Sequence, residues 1–173
     1  KGPGSTAYVA GSRGIQCSGT FNSGAAPTFV NAPIVEGCEI YGFAQYGVFL
    51  AYVNGGECRY NNIHDVGYAG VGGTSCNRTK VIGNTITNIT STGGSGDHYG
   101  IFLDRSDGTS ETSDPRSYDC EISFNVVSNI DWEGIDSHAG VRFSIIGNKV
   151  FSCGRGIVLT RSNISGTPAL APL

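Results

Sequence analysis

Short runs in which apolar and polar residues alternate recur along the chain, and they predict β-strands. In the run "GIFLD", residues 100–104, Ile101 and Leu103 would point to one side of a strand, and Phe102 and Asp104 to the other. Gly, Asn, Ser and Thr are abundant between such runs, as expected for turns. The pattern predicts an all-β chain.

These strands fall into a repeat whose shared core is N-x-[IV], a short gap and then G-[IV]. The Asn of this core is expected at Asn62, Asn84, Asn125 and Asn148, and the Gly at Gly47, Gly70, Gly100, Gly134 and Gly156. Successive positions are 22 or 23 residues apart wherever no extra residues intervene. A period this short, with two β runs per repeat, is typical of one coil of a parallel β-solenoid.

Both repeated residues have a physical role in such a stack. Coils lie about 4.8 Å apart, so Asn side chains on successive coils can hydrogen-bond to one another and to turn backbone. The aligned glycines would permit a tight bend into the next strand.

This repeat resembles the right-handed parallel β-helix of the pectate-lyase-like superfamily, over about residues 35–163. The resemblance implies a single-stranded, right-handed parallel β-helix with coils of about 22 residues. The superfamily includes polysaccharide lyases, glycoside hydrolases, alginate epimerases and bacteriophage tail spikes. It therefore implies binding or cleavage of a long glycan on the outer face of one sheet. The Asp-Pro-His-Glu motif of the alginate epimerases is absent, because Asp114-Pro115 continues into Arg116-Ser117.

The repeat also suggests how the chain is organised. We expect an irregular segment or first coil over 1–34, the β-helix over 35–163 and a tail or linker over 164–173. One coil is longer than the others, with insertions near 90–98 and 105–117 on either side of "GIFLD". Loops on a rigid scaffold often bind ligands, although such insertions can also be neutral decoration.

Composition narrows the function. Charged residues make up 14% of the chain, the net charge is −3 and no Lys/Arg cluster occurs, which argues against nucleic-acid binding. No apolar run approaches a membrane span. The six Cys residues could form disulfides or remain buried thiols. Because the chain lacks Met, we expect it to be processed or part of a longer protein.

Candidate chemistry gathers in "DWEGIDSH", residues 131–138. Aligning the glycines places Asp136 and His138 on the outer face of one strand, with Asp104 one coil away beside His138. Phe102 and Val158 would flank Asp136, remove water from its carboxylate and raise its pKa. Asp104, Asp136 and His138 are therefore the candidate catalytic residues. The competing interpretation is an ordinary solvated surface.

Other residues would complete a glycan-binding cleft. Arg105 and Arg161 end the neighbouring strands, Trp132 and Tyr99 could stack on sugar rings, and His98 lies in the first insertion. Asp131, Glu133 and the pair His64-Asp65 are further polar residues, the first two just before the candidate strand and the pair in a turn.

Two reaction types suit this arrangement. Asp104 and Asp136 would lie roughly 8 Å apart, a separation typical of inverting glycoside hydrolases. In a lyase, His138 or an Arg would instead remove the proton next to a uronate carboxylate, while Asp residues could hold Ca²⁺.

Two classes of protein remain open at this point. The first is an extracellular enzyme that binds and cleaves a polysaccharide. The second is a bacteriophage tail-spike or minor tail protein module, a homotrimeric structural adhesin that binds host glycans on the virion tail. A bacterial surface adhesin is a third hypothesis.

Overall fold

The computed structural model describes residues 11–21, 25–90, 96–104 and 115–160, and all regular structure in these ranges is β-strand. The strands are β1 (Arg13–Ser18), β2 (Val30–Asn31), β3 (Ile34–Glu36), β4 (Glu39–Tyr41), β5 (Tyr46–Ala51), β6 (Val53–Asn54), β7 (Glu57–Arg59), β8 (Asn62–Val66), β9 (Ala69–Thr74), β10 (Lys80–Ile82), β11 (Thr85–Ile89), β12 (Tyr99–Asp104), β13 (Glu121–Ser123), β14 (Val126–His138), β15 (Ser144–Ile146) and β16 (Lys149–Thr160). The tail expected at 164–173, most of both expected insertions and residues 1–10 and 22–24 of the expected N-terminal segment lie outside the described residues.

All strand pairings are parallel, and successive coils stack in register. One arm of the large sheet has the order β1-β5-β9-β12-β14, and a second arm has the order β14-β11-β8-β4. The long strands β14 and β16 pair with each other along both arms. A separate sheet has the order β15-β13-β10-β7-β3, and β2 pairs with β6. The predicted all-β parallel β-helix is confirmed.

The interior of the coil is a column of apolar side chains. Ile63, Ile86 and Val127 are paired on β8, β11 and β14, and each is 0% exposed. Their branched side chains suit the crowded, pleated interior of a sheet. All six Cys residues are free thiols, and Cys58 and Cys120 are buried in the same core. They act there as small apolar residues.

An Asn ladder runs along one corner of the coil, but its first member is Asn61 rather than Asn62. The Asn84 Oδ1 accepts hydrogen bonds from the backbone N–H of Asn61, at 3.0 Å, and from its side-chain amide, at 3.0 Å. Asn125 bonds to Asn84 in the same way. Asn62 begins β8 and is exposed. The prediction of Asn62 was wrong because the pattern N-x-[IV] ending at Ile63 begins one residue earlier.

The glycine column is confirmed, but for a different reason than a bend. A Cβ on Gly47 would lie 2.7 Å from the carbonyl oxygen of Gly70, and one on Gly70 would lie 2.7 Å from that of Gly100. Glycine is needed because successive backbones approach one another too closely for a side chain.

The coil between Asn84 and Asn125 is longer than its neighbour, and the two insertions near 90–98 and 105–117 stay a prediction. Asn84 and Asn125 are neighbours in the ladder yet lie 41 residues apart in sequence, against 23 for Asn61 and Asn84. Within the described part of the chain, no helix is long and apolar enough to cross a membrane.

Candidate functional site

The strands β12 and β14 bring the three predicted catalytic residues together. Phe102 pairs with Asp136 across these strands, which places Asp104 beside His138. The His138 Nδ1 lies 3.5 Å from Asp104 Oδ2 and 3.5 Å from Asp136 Oδ2. The two carboxylate oxygens are therefore at most twice this distance, about 7 Å, apart.

Asp136 is on the outer face of β14 but is covered by its neighbours. It is 1% exposed, and neither of its carboxylate oxygens has a hydrogen-bond partner among the residues that the structure describes. Phe102 and Val158 pair with it on either side, as predicted. Burial raises the pKa of Asp136 to about 7, although the charge of His138 opposes this shift. A carboxylate held in this way is not an ordinary solvated surface residue.

Glu133 is a second buried carboxylate, and the prediction that it precedes the strand was wrong. It lies within β14, after a register shift between Ile130 and Glu133, and is 2% exposed. Its Oε1 accepts a hydrogen bond from Arg155 Nη1 at 3.0 Å, whereas Oε2 has no hydrogen-bond partner in the described part of the chain. The Arg155 guanidinium also lies 4.2 Å from the centre of the Trp132 ring. Arg155 therefore neutralises Glu133 while packing on Trp132.

His138 is the accessible member of the cluster. Its side chain is 34% exposed, and that of Asp104 is 26% exposed. The interaction with Asp104 is the largest influence on its pKa and, with the charge of Asp136, raises it to about 9. Because Nδ1 faces both carboxylates, the proton on Nδ1 is held and Nε2 is the nitrogen left to exchange protons.

The last residue of each predicted insertion contacts a strand of the site. The His98 carbonyl accepts a hydrogen bond from the Glu133 N–H at 2.9 Å. The Ser117 hydroxyl donates to the Asp104 carbonyl at 2.6 Å. The C-terminal end of each insertion thus packs against β12 or β14.

The fold family follows from a match over most of the chain. A family model described as the right-handed β-helix region matches residues 13–166. The chain belongs to this right-handed β-helix family. Among curated proteins, no sequence matches this β-helix protein.

Solved structures similar to this β-helix protein act on glycans or belong to phage tails. The A-module of the Azotobacter vinelandii mannuronan C-5 epimerase AlgE4 has a TM-score of 0.71 at 20% identity, over 92% of this chain and 43% of that one. The periplasmic alginate epimerase AlgG has a TM-score of 0.61 at 14% identity, over 86% of this chain and 35% of that one. The enzymatically active domain of tailspike protein 2 from bacteriophage CBA120 has a TM-score of 0.51 at 13% identity, over 73% of this chain and 23% of that one. The chain thus covers less than half of the length of each of these structures. At these sequence identities, the structural similarity establishes the fold alone.

The other predicted binding residues of the β-helix protein differ in how far they are exposed. Tyr99 is 6% exposed, with its ring packed 5.6 Å from that of Tyr68 and 5.1 Å from that of Phe102. His98 is also buried, and Trp132 is half-buried beneath Arg155. Arg105 and Arg161 lie outside the described residues. Tyr99 is thus a packing residue beside the site rather than an open platform.

Glu133, Asp136 and His138 could in principle share a metal ion, since their ligand atoms lie within 4.8 Å of one another. Ca²⁺ takes six to eight oxygen ligands. Two carboxylates and an imidazole do not supply such a set, so these residues do not fit the Ca²⁺ that the lyase hypothesis allowed. A metal that accepts imidazole would have to displace the His138 proton, which the carboxylates stabilise.

Replacing Asp136 by Asn is expected to stabilise the β-helix protein at alkaline pH. The pKa of Asp136 is raised to about 7 in the folded chain, so its ionisation opposes folding increasingly as the pH rises from about 4 to about 7. Between pH 4 and pH 8, the free energy of unfolding of Asp136→Asn should increase relative to that of the wild type by about 4 kcal/mol. Urea unfolding at both pH values measures this difference.

Asp119→Asn is the matched control for that experiment. Asp119 is paired with Arg142, which lowers the pKa of its carboxyl, so this carboxyl is already largely ionised at pH 4 in both the folded and the unfolded chain. Between pH 4 and pH 8, the stability of this variant should therefore change little relative to that of the wild type, and an equal gain in both variants would contradict the burial argument.

Proposed function

We propose that this β-helix protein binds a uronate-containing polysaccharide on the outer face of its large sheet and cleaves it by β-elimination. The observation that carries the proposal is the half-exposed His138 imidazole, whose Nδ1 is held between Asp104 and the buried Asp136. An imidazole oriented by carboxylates in this way is a suitable base for removing a proton.

In the proposed reaction, His138 Nε2 accepts the proton on the carbon next to the sugar carboxylate. The electron pair of that C–H bond forms a carbon–carbon double bond, and the bond from the sugar to the glycosidic oxygen breaks. The leaving oxygen takes a proton from water, and the hydroxide that remains takes the proton from the His138 imidazolium, which restores the neutral base. Asp104 and Asp136 stabilise the imidazolium that forms, and the raised pKa of His138 makes it a strong base for a weakly acidic C–H bond.

Elimination suits the site better than inverting hydrolysis. An inverting hydrolase needs two accessible carboxyl groups with room for a water molecule near the sugar. Asp136 is 1% exposed, and the His138 imidazole lies between it and Asp104. Asp136 therefore cannot act as an accessible general acid or base. Asp136 is better described as a positioning residue for His138.

The names of the similar structures support the substrate class. Mannuronan and alginate epimerases act on polysaccharides, and the phage domain is described as enzymatically active. A periplasmic enzyme and a tail spike also support a location outside the cytoplasm or on a virion tail. The homotrimeric tail-spike adhesin stays a prediction. The two buried carboxylates favour the enzyme, because adhesion alone gives no reason to bury them.

The pH dependence of cleavage tests the proposed role of His138. Below its pKa of about 9 the imidazole is protonated and cannot accept a proton, so kcat/KM should rise with pH and level off near pH 9. Initial rates can be followed by the ultraviolet absorbance of the unsaturated product. A kcat/KM that falls over the same range would make the imidazolium the active form and contradict this role.

A further inference from the structure

A group of packed aromatic rings extends from the candidate site towards the N-terminal end of the same sheet. The Tyr46 ring lies 4.5 Å from the Phe49 ring and 5.4 Å from the Tyr68 ring. Gly72 makes this packing possible, because a Cβ there would lie 2.8 Å from atoms of both Tyr46 and Phe102. Tyr46, Phe49 and Tyr68 are half-buried, so each leaves part of its ring open to solvent.

Arg13 sits on the far end of these rings. Its guanidinium lies 4.7 Å from the centre of the Phe49 ring and 5.2 Å from that of Tyr46. Its side chain also donates hydrogen bonds to Gln16 at 2.8 Å and to Gln45 at 3.2 Å. Among the described residues its partners are therefore all neutral, and its positive charge is oriented without being neutralised by a carboxylate.

Arg13 lies in the same row of paired residues as Glu133, which precedes His138 by five residues on β14. Across the parallel strands, Arg13 pairs with Tyr46, Tyr46 with Ala69, Ala69 with Tyr99 and Tyr99 with Glu133. Four steps between strands correspond to about 19 Å along the rod. The length of one sugar in an extended polysaccharide is similar to the spacing between two neighbouring strands. A polysaccharide several sugars long could therefore contact both His138 and Arg13.

We propose that Arg13, Tyr46 and Phe49 form a subsite for an anionic sugar in the same polysaccharide chain that His138 attacks. The apolar face of the sugar would pack on the exposed parts of the rings, and its carboxylate would accept hydrogen bonds from the guanidinium. The inference rests on the proposed function, because it takes the substrate to lie along this face. It adds that the protein requires an acidic residue several sugars away from the point of cleavage.

The test measures binding in a protein that cannot cleave. The His138→Gln variant is titrated with oligomannuronates and oligogalacturonates of graded length, and with the same oligosaccharides after their carboxyl groups have been reduced to alcohols. Long acidic oligosaccharides should bind about tenfold more tightly than their reduced forms. Adding Arg13→Gln should abolish this preference and leave the binding of the shortest oligosaccharides unchanged.

Arg142→Gln, in the same His138→Gln protein, is the matched control, because it removes one positive charge from an exposed Arg that is paired with Asp119. It should keep the preference for acidic oligosaccharides. If Arg13→Gln also keeps it, the subsite is wrong while the proposed function stands. If Arg13→Gln loses it but the wild type produces no unsaturated ends, the subsite stands and the proposed function fails. If no oligosaccharide binds, both fail.

Discussion

Replacing His138 by Gln is expected to lower kcat/KM for polysaccharide cleavage by about 1,000-fold, within the range that a positioned acid or base contributes. Gln retains much of the size and polarity of the imidazole but cannot act as a base. Because His138 lies at the surface end of β14 with a 34% exposed side chain, the fold should be retained. Initial rates of formation of unsaturated product measure the effect, and circular dichroism checks the fold.

His64→Gln is the matched control for this prediction. His64 also lies beside two carboxylates, with Nδ1 2.7 Å from Asp65 Oδ2 and Nε2 3.6 Å from Glu39 Oε1. These side chains are 47% and 64% exposed, however, and β8 belongs to the other arm of the large sheet. His64→Gln should leave kcat/KM unchanged. An equal loss in both variants, or full activity of His138→Gln, would contradict the assignment.

Replacing Asn84 by Ala is expected to lower the free energy of unfolding by about 3 kcal/mol. The Asn84 side chain accepts hydrogen bonds from the backbone of Asn61 and donates to the carbonyl of Cys58 at 2.9 Å, and it is 1% exposed. Alanine would leave these backbone groups buried without partners, which costs more than the bonds themselves contribute. Chemical denaturation monitored by circular dichroism measures the change.

Asn62→Ala is the matched control, because Asn62 directly follows Asn61 at the start of β8 and its side chain is exposed. It should change the free energy of unfolding by less than about 0.5 kcal/mol. Comparable losses for Asn62→Ala and Asn84→Ala would show that the ladder is not a main source of stability.

The sequence was sufficient to predict the relation between Asp104, Asp136 and His138. Three facts made this possible: the glycines mark equivalent positions, parallel coils stack without offset, and strand residues alternate between faces. Gly100 and Gly134 therefore aligned β12 with β14 correctly. Asn61 and Asn62 are adjacent, but only Asn61 is followed two residues later by an Ile or Val, and only Asn61 is buried.

The burial of the site could not be predicted from that alignment. It depends on the register shift before Glu133, which turns this carboxylate towards Asp136, and on Arg155 from the next coil. The exposure of Tyr99 to a sugar ring was also predicted wrongly. Its ring is enclosed by Tyr68, which belongs to the preceding coil and lies just before β9. Such contacts join irregular segments of different coils, where no periodic pattern operates.

The most direct test of the central claim is mass spectrometry of the products formed when the wild-type protein is incubated at about pH 9 with a panel of uronate polysaccharides. Cleavage by His138 predicts oligosaccharides with an unsaturated sugar at the new non-reducing end, and their absence with the His138→Gln protein. Products with only saturated ends, or unsaturated ends that persist in His138→Gln, would contradict elimination by His138.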